Sequence, residues 1–331
     1  MIKGADKMNV TILGAGAYAL GLAVRFNKNK NKIIIWSKVK AEIDELNKTR
    51  MNQRALPGVV IPDNIIFTTN TKKAIEGSNI VVIAVATKFI SSVCKEIKPY
   101  VKDKHVVIAS KGIEQNTYKF ASEIVREELK TKRLCTISGP SFAKDMARDE
   151  VVGLSLATTN GKTKKDVIEA LASNTLKIRP TNDFLGVELC GTMKNVIAVA
   201  SGMLDGMNLS ESTKAMFLTE SLNDVRKLIR KLGGNEKTVL SFAGFGDMLL
   251  TCTSESSRNY TYGKLIGECK DKKVLDNYLE ENTVEGIYTL ESIYGLIKRK
   301  RVSLPIIDLV YDVVFNYRKP SYILPFLIEK E

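Results

Sequence analysis

The sequence predicts an α/β fold, with an N-terminal doubly wound sheet followed by a C-terminal all-helical domain. Three observations carry that reading. Short apolar runs alternate with stretches of helical spacing through the first half of the chain. Residues 80–85 (IVVIAV) form an unbroken apolar run, the mark of a strand buried on both faces of a parallel sheet. After Pro180 apolar residues recur at helical spacing, and no convincing strand follows.

In chain order, residues 10–13 are a short apolar run that stops at glycine, as a buried strand does. Residues 17–28 are helical in period, with Leu20 and Val24 on one face. A second strand is expected at 33–36, a helix at 41–46 and a strand at 80–85. Then come a helix at 90–97, a strand at 106–109, an amphipathic helix at 120–129, and strands at 134–137 and 154–157. Helical period then covers 183–232, 285–298 and 304–316. A length of 331 residues suits two domains at roughly 150 residues each. The sheet domain is assigned to 1–182 and the helical domain to 183–331.

Composition narrows the class. Apolar residues are 44% and charged residues 26%, which excludes a disordered, collagen-like or disulfide-scaffold chain. No stretch reaches the roughly 18 uncharged apolar residues of a membrane span, so none is expected. The opening MIKGADKMN lacks the apolar core of a signal peptide, which leaves the cytoplasm as the expected location. Five cysteines without a C-x-x-C argue against a disulfide framework or a zinc site and for a reducing compartment; no metal is expected. The net charge of +13 comes from short lysine clusters without interleaved aromatics, so it reads as a solvated surface with no nucleic-acid partner. The single histidine, His105, precedes an apolar run and reads as a strand-edge residue. Acid–base chemistry then falls to Lys, Asp or Glu.

Gly14-Ala15-Gly16-Ala17-Tyr18-Ala19 follows the first strand and opens a helix. This is G-x-G-x-x-A, a variant of the dinucleotide fingerprint of Rossmann-like sheets. Its glycines allow a tight turn and close approach to a pyrophosphate, which the helix N-terminus then receives. The second strand ends at Trp36, where an NAD-selective site usually has Asp or Glu. Here Ser37-Lys38 follows, and a lysine can meet a 2′-phosphate, so the cofactor is expected to be NADP or NAD with a lean toward NADPH.

Four further segments are hard to explain as packing. Lys111-Gly112 follows the strand at 106–109, at the sheet edge where such folds bind ligands. Ser138-Gly139-Pro140-Ser141-Phe142 follows the next strand. Lys194-Asn195 interrupts the apolar helix GVELCGTMKNVIAVASGM. Gly244-Phe245-Gly246-Asp247 leads to Thr251-Cys252-Thr253-Ser254 and Ser257-Arg258-Asn259.

Together with NKTRMNQRALPG, VEGI and LPI, these segments resemble the NAD(P)-dependent glycerol-3-phosphate dehydrogenases of the bacterial type, from Gly14 to about Pro305. The resemblance implies reversible reduction of dihydroxyacetone phosphate to sn-glycerol 3-phosphate, which supplies the backbone of phospholipids. It also implies that Lys194 is the catalytic lysine and that Lys111 contacts substrate and cofactor. Gly139, Ser141, Asp247, Ser257, Arg258 and Asn259 match substrate positions. Ala17, Tyr18, Lys38, Ala143, Thr283 and Glu285 match cofactor positions, beside Gly14 and Gly16, with Arg258 a candidate for both ligands. A homodimer is the expected assembly. The chain departs from the family pattern at Ala17 for Ser, Ala19 for the third glycine, Ala86 for Pro, Cys190 for Gly, Ser212-Thr213 for Asn-Thr, and Glu220-Ser221 for Arg-Gly.

Reduction of a ketone leaves an oxygen that needs a proton. A free lysine ionises near pH 10.4 and gives up its proton reluctantly at about pH 7. A second lysine and partial burial lower that value, and Lys194 with Lys111 is the candidate pair, with Asp247 holding one ammonium in place. A substrate phosphate needs a fixed cation, for which Arg258 is suited, and neutral donors such as Ser257 and Asn259. Two alternatives stand beside this reading. One is a two-domain dehydrogenase of a β-hydroxy acid or sugar acid, which the GDMLLTCTSESSRN block disfavours. The other is a basic nucleic-acid-binding protein built on the same sheet, which fold alone does not exclude.

Overall fold

The computed structural model describes residues 7–328, and the chain divides into two compact units. The first unit runs through Lys111 and resumes over Ala121–Phe184. It opens with β1 (Asn9–Leu13), α1 (Ala17–Lys28), β2 (Lys32–Trp36), α2 (Lys40–Thr49), β3 (Ile66–Thr68) and α3 (Thr71–Ile75). There follow β4 (Ile80–Ile83), α4 (Ile90–Ile97), β5 (His105–Ile108), α5 (Ala121–Leu129), β6 (Leu134–Ser138) and α6 (Ala143–Ala147). The unit ends with β7 (Val152–Ala157), α7 (Gly161–Leu171) and β8 (Leu176–Thr181).

The eight strands form one sheet in the order β3-β2-β1-β4-β5-β6-β7-β8. Every neighbouring pair is parallel except β6 and β7. All residues of β4, β5 and β6 are buried, because helices cover both faces. Leu20, Leu22, Ala23 and Phe26 of α1 belong to the core cluster that includes Val10, Ile12, Ile80 and Val82. The strand order reverses between β1 and β4, so the loop after β1 lies at the switch point of the sheet.

The predicted strands and helices of this half are all present, and five short elements were not expected. β3 is three residues long and half exposed, too short to show a period. β8, which contains Pro180, is not among the strands expected from the sequence. As an edge strand it tolerates a residue with no N–H to donate. α3, α6 and α7 complete the set. His105 starts β5, at the end of the strand opposite the Gly14 loop. Its Nδ1 lies 2.9 Å from the Thr163 hydroxyl and its Nε2 2.8 Å from Asp166 Oδ2, so it fastens α7 to the sheet.

The second unit takes in Gly112–Phe120 and the chain from Leu185 onward. The excursion at Gly112–Phe120 is invisible in the sequence, and the main division lies two residues beyond the boundary expected at 182. Its helices are α8 (Phe184–Gly206), α9 (Glu211–Lys231), α10 (Asp247–Cys252), α11 (Arg258–Gly267), α12 (Lys272–Glu281), α13 (Glu285–Lys300), α14 (Pro305–Phe315) and α15 (Pro325–Ile328). Side chains of Ser210, Ser257 and Asp271 cap α9, α11 and α12. By length and composition α8 could cross a bilayer, but 94% of its apolar window is buried within the protein. All five cysteines are free thiols.

One departure from the family pattern has a structural cost. Ser221 on α9 is fully buried, and its hydroxyl has no hydrogen-bond partner among the described residues. An unsatisfied buried hydroxyl costs roughly 1–3 kcal/mol, and alanine is also the better helix former. Ser221→Ala is therefore expected to raise the midpoint of thermal unfolding. A lower midpoint would mean that the hydroxyl has a partner in solution.

Candidate active site

In the first unit, Gly14 has φ +120°, and a Cβ there would lie 2.6 Å from the Ala84 carbonyl oxygen. Only glycine permits this turn. Its amide donates to the Trp36 carbonyl at 2.7 Å, which ties the loop to the end of β2. Apart from Gly16 itself and its two chain neighbours, no described heavy atom lies within 4 Å of where a Cβ on Gly16 would sit. Gly16 precedes α1, whose N-terminus is capped by no side chain among the described residues and has no acidic residue in its first turn. Exposed N–H groups, a positive dipole end and open space before them suit a pyrophosphate. The residues present thus fit a dinucleotide. Asn52 supports the loop from behind: buried, it donates from Nδ2 to the Ala15 carbonyl at 3.1 Å.

Tyr18, Lys111, Gly139 and Ser141 meet at the carboxyl edge of the same sheet. The Tyr18 hydroxyl is 3.0 Å from Ser141 Oγ, which in turn donates to the Gly139 carbonyl at 2.9 Å. The Lys111 ammonium lies 5.7 Å from the Tyr18 ring centroid. Ala17 and Ala143 stand at the first positions of α1 and α6. Lys38 is 81% exposed, with its ammonium 3.8 Å from Glu96 Oε2. Beside it the Ser37 hydroxyl donates to Glu42 Oε2 at 2.7 Å.

In the second unit, Lys194 of α8 is buried and donates from Nζ to Asp247 Oδ1 at 2.6 Å and to Thr251 Oγ1 at 2.9 Å. Thr251 donates to the Asp247 carbonyl one turn earlier at 2.6 Å, so both partners of the ammonium sit on α10 in fixed register. A π-helical turn, Phe242–Gly246, delivers Asp247 into that position. Cys252 lies behind, its Sγ 3.8 Å from the Lys194 carbonyl, and burial raises its thiol pKa well above the ordinary value.

Asn195, the next residue of α8, receives a hydrogen bond from Asn259 Nδ2 at 3.1 Å and donates to Glu285 Oε2 at 3.3 Å. Asn259 Oδ1 accepts from the Gly286 amide at 2.8 Å. The VEGI segment is thereby locked to α8 and α11. Arg258, first residue of α11, is exposed, and its guanidinium makes no hydrogen bond or ion pair among the described residues. Ser257 caps the same helix, accepting from the Tyr260 amide at 3.3 Å. Thr283 is exposed just before α13, and Glu285 opens that helix.

The sequence-predicted residues thus fall into two sets, one in each unit. Sequence reasoning missed Asn52, Thr251 and Glu42, and it gave Asn195 no role. Asn52 lies in the NKTRMNQRALPG segment and Thr251 in GDMLLTCTSESSRN, yet a single polar residue there carries no signal until its partner is known.

The sequence model of the NAD-dependent glycerol-3-phosphate dehydrogenase N-terminus matches residues 9–164, and that of the C-terminus matches residues 183–325. A glycerol-3-phosphate dehydrogenase [NAD(P)+] of Fusobacterium nucleatum is 34% identical over 319 residues, covering 95% of this chain and 94% of that protein. One from Staphylococcus carnosus is 35% identical over 313 residues, covering 93% of each. A crystal structure of glycerol-3-phosphate dehydrogenase from Coxiella burnetii superposes with a TM-score of 0.92 at 29% identity, covering 98% of this chain and 99% of that one. With both of its domain models matched in order and relatives similar over nearly the whole length, the chain belongs to the NAD-dependent glycerol-3-phosphate dehydrogenase family.

Proposed function

We propose that the chain reduces dihydroxyacetone phosphate reversibly to sn-glycerol 3-phosphate with NADPH or NADH, the product feeding glycerophospholipid synthesis. The observation that carries this reading is the buried pair of Lys194, on the largely apolar α8, with Asp247 of α10, since an ion pair is costly to bury for packing alone. Gly14, Gly16, Ala17 and Tyr18 hold the dinucleotide, with Lys38, Ala143, Thr283 and Glu285 as further contacts. When bound, the reduced nicotinamide supplies a hydride to the carbonyl carbon. Lys194 Nζ donates a hydrogen bond to the carbonyl oxygen and passes it a proton as negative charge develops there. Asp247 and Thr251 hold that nitrogen in place. Lys111, Gly139 and Ser141 are the substrate contacts of the sheet domain, with Lys111 also touching cofactor. Residence in a reducing cytoplasm accords with the five free thiols, and a homodimer would elute at twice 36.7 kDa. Oxidation of NADPH or NADH on adding dihydroxyacetone phosphate tests the whole reading, and silence with both would refute it.

Arg258 binds the phosphate in this scheme, with Ser257 and Asn259 as neighbours on the helix start. Its guanidinium is uncommitted among the described residues, and a planar fork can make two parallel bonds to a phosphate. At roughly 1.5–3 kcal/mol for each charge-assisted bond, Arg258→Ala is expected to lose at least about 10²-fold in kcat/KM. Arg258→Lys should be impaired less, although charge is kept. Most of the loss should vanish with unphosphorylated dihydroxyacetone. Equal losses on both substrates would move Arg258 to the cofactor.

A further inference from the structure

Resting on the dinucleotide reading above, we propose that Glu42 sets the balance between NADH and NADPH. In this fold the end of the second strand reads the adenosine ribose, and a carboxylate there accepts from its 2′-hydroxyl. The sequence has none at Ser37-Lys38, and the structure supplies one from five residues on. Glu42 stands in the first turn of α2, and its Oε2 accepts the Ser37 hydroxyl proton at 2.7 Å. The same hydroxyl oxygen accepts the Val39 amide at 3.2 Å. The carboxylate is thereby anchored to the backbone at the tip of β2.

Lys38 is the opposing influence, and it is far less fixed. Its ammonium is 81% exposed and lies 3.8 Å from Glu96, whose carboxylate is itself held by the Thr71 hydroxyl. To meet a 2′-phosphate, Lys38 must leave Glu96 and lose the freedom of a long side chain. The hydroxyl acceptor is already in place, whereas the phosphate-binding cation is not. A 2′-phosphate would also bring its charge toward the Glu42 carboxylate. The chain therefore takes NADH at least as well as NADPH, against the lean that Lys38 alone suggests.

The test is fluorescence titration of the full chain with NADH and with NADPH, without any second substrate. Glu42→Gln removes the charge while leaving an amide that can still bond Ser37. The affinity ratio of NADPH to NADH is expected to rise about tenfold, the low end for a bond to a charged group at a half-exposed site. Lys38→Gln should move the ratio the other way. A ratio that stays constant in Glu42→Gln overturns the proposal, whether both affinities hold or both weaken together. In the latter case Glu42 merely supports the loop. Wild-type protein that binds neither dinucleotide overturns the proposal and the dinucleotide reading together. Binding without turnover of dihydroxyacetone phosphate would refute only the substrate.

Discussion

Lys194→Ala is expected to abolish measurable reduction of dihydroxyacetone phosphate while the chain still binds reduced dinucleotide. General acid catalysis contributes about 10²–10⁴-fold, and the loss of a donor at the developing oxyanion removes a further large factor. The substitution has a second consequence. The Asp247 side chain is 2% exposed, and losing its ammonium leaves a buried carboxylate uncompensated, at a cost of about 3–5 kcal/mol. A fall in turnover could then report unfolding. The double variant Lys194→Ala/Asp247→Asn separates the two effects, since it removes the stranded charge. Its melting temperature should recover while its turnover does not. If the double variant regains turnover, or if Lys194→Ala keeps half the wild-type rate, Lys194 is not the proton donor.

The second large effect is expected far from any reacting atom, at Gly263. Helices α8 and α11 touch backbone to backbone along two glycine pairs. A Cβ on Gly263 would lie 1.9 Å from the Val199 carbonyl oxygen, and one on Gly202 would lie 2.0 Å from that of Tyr260. Gly206 and Gly267 repeat the arrangement one turn on, at 2.2 Å from Lys264 O and Met203 O. Just N-terminal to this contact, α8 carries Lys194 and Asn195 and α11 carries Arg258 and Asn259. A change in the spacing of the two helices therefore shifts the proposed proton donor relative to the proposed phosphate anchor. Asp205, near the end of α8, accepts from Lys214 at 2.8 Å and pairs with Lys264 of α11 at 3.2 Å, which holds the interface from the outside.

Gly263→Ala pits two terms against each other. Within an isolated helix alanine is favoured over glycine by about 1 kcal/mol. At this position the helices must part by roughly an ångström to admit the methyl group, and displacement of that order can cost about 10²-fold in rate. The steric term is expected to win, giving a lower melting temperature and a fall in kcat on dihydroxyacetone phosphate. Dinucleotide affinity should change far less, since Gly14 and its loop belong to the other unit. A variant that melts higher and turns over normally would show that α8 and α11 have slack.

The sequence by itself determined the sheet domain, the helical domain and most of the candidate residues. Buried parallel strands must be continuous apolar runs, a pyrophosphate loop must have glycine where φ is positive, and a lysine inside an apolar helix has few uses. Those constraints act along the chain and leave local marks. Tertiary structure alone decided which polar side chains face one another. Asp247 and Thr251 reach Lys194 from 53 and 57 residues away, and Asn195 finds Asn259 across 64. Glu42 supplies the carboxylate that the end of β2 lacks, because a helical turn folds it back onto Ser37. Pro180 could not be placed from the sequence, since whether it breaks a strand depends on whether that strand has a neighbour to bond. Gly112–Phe120 packs with the helical unit although it follows β5 directly. Hydrogen bonding and close packing are pairwise, and the partner's distance along the chain is set only when the whole chain has folded.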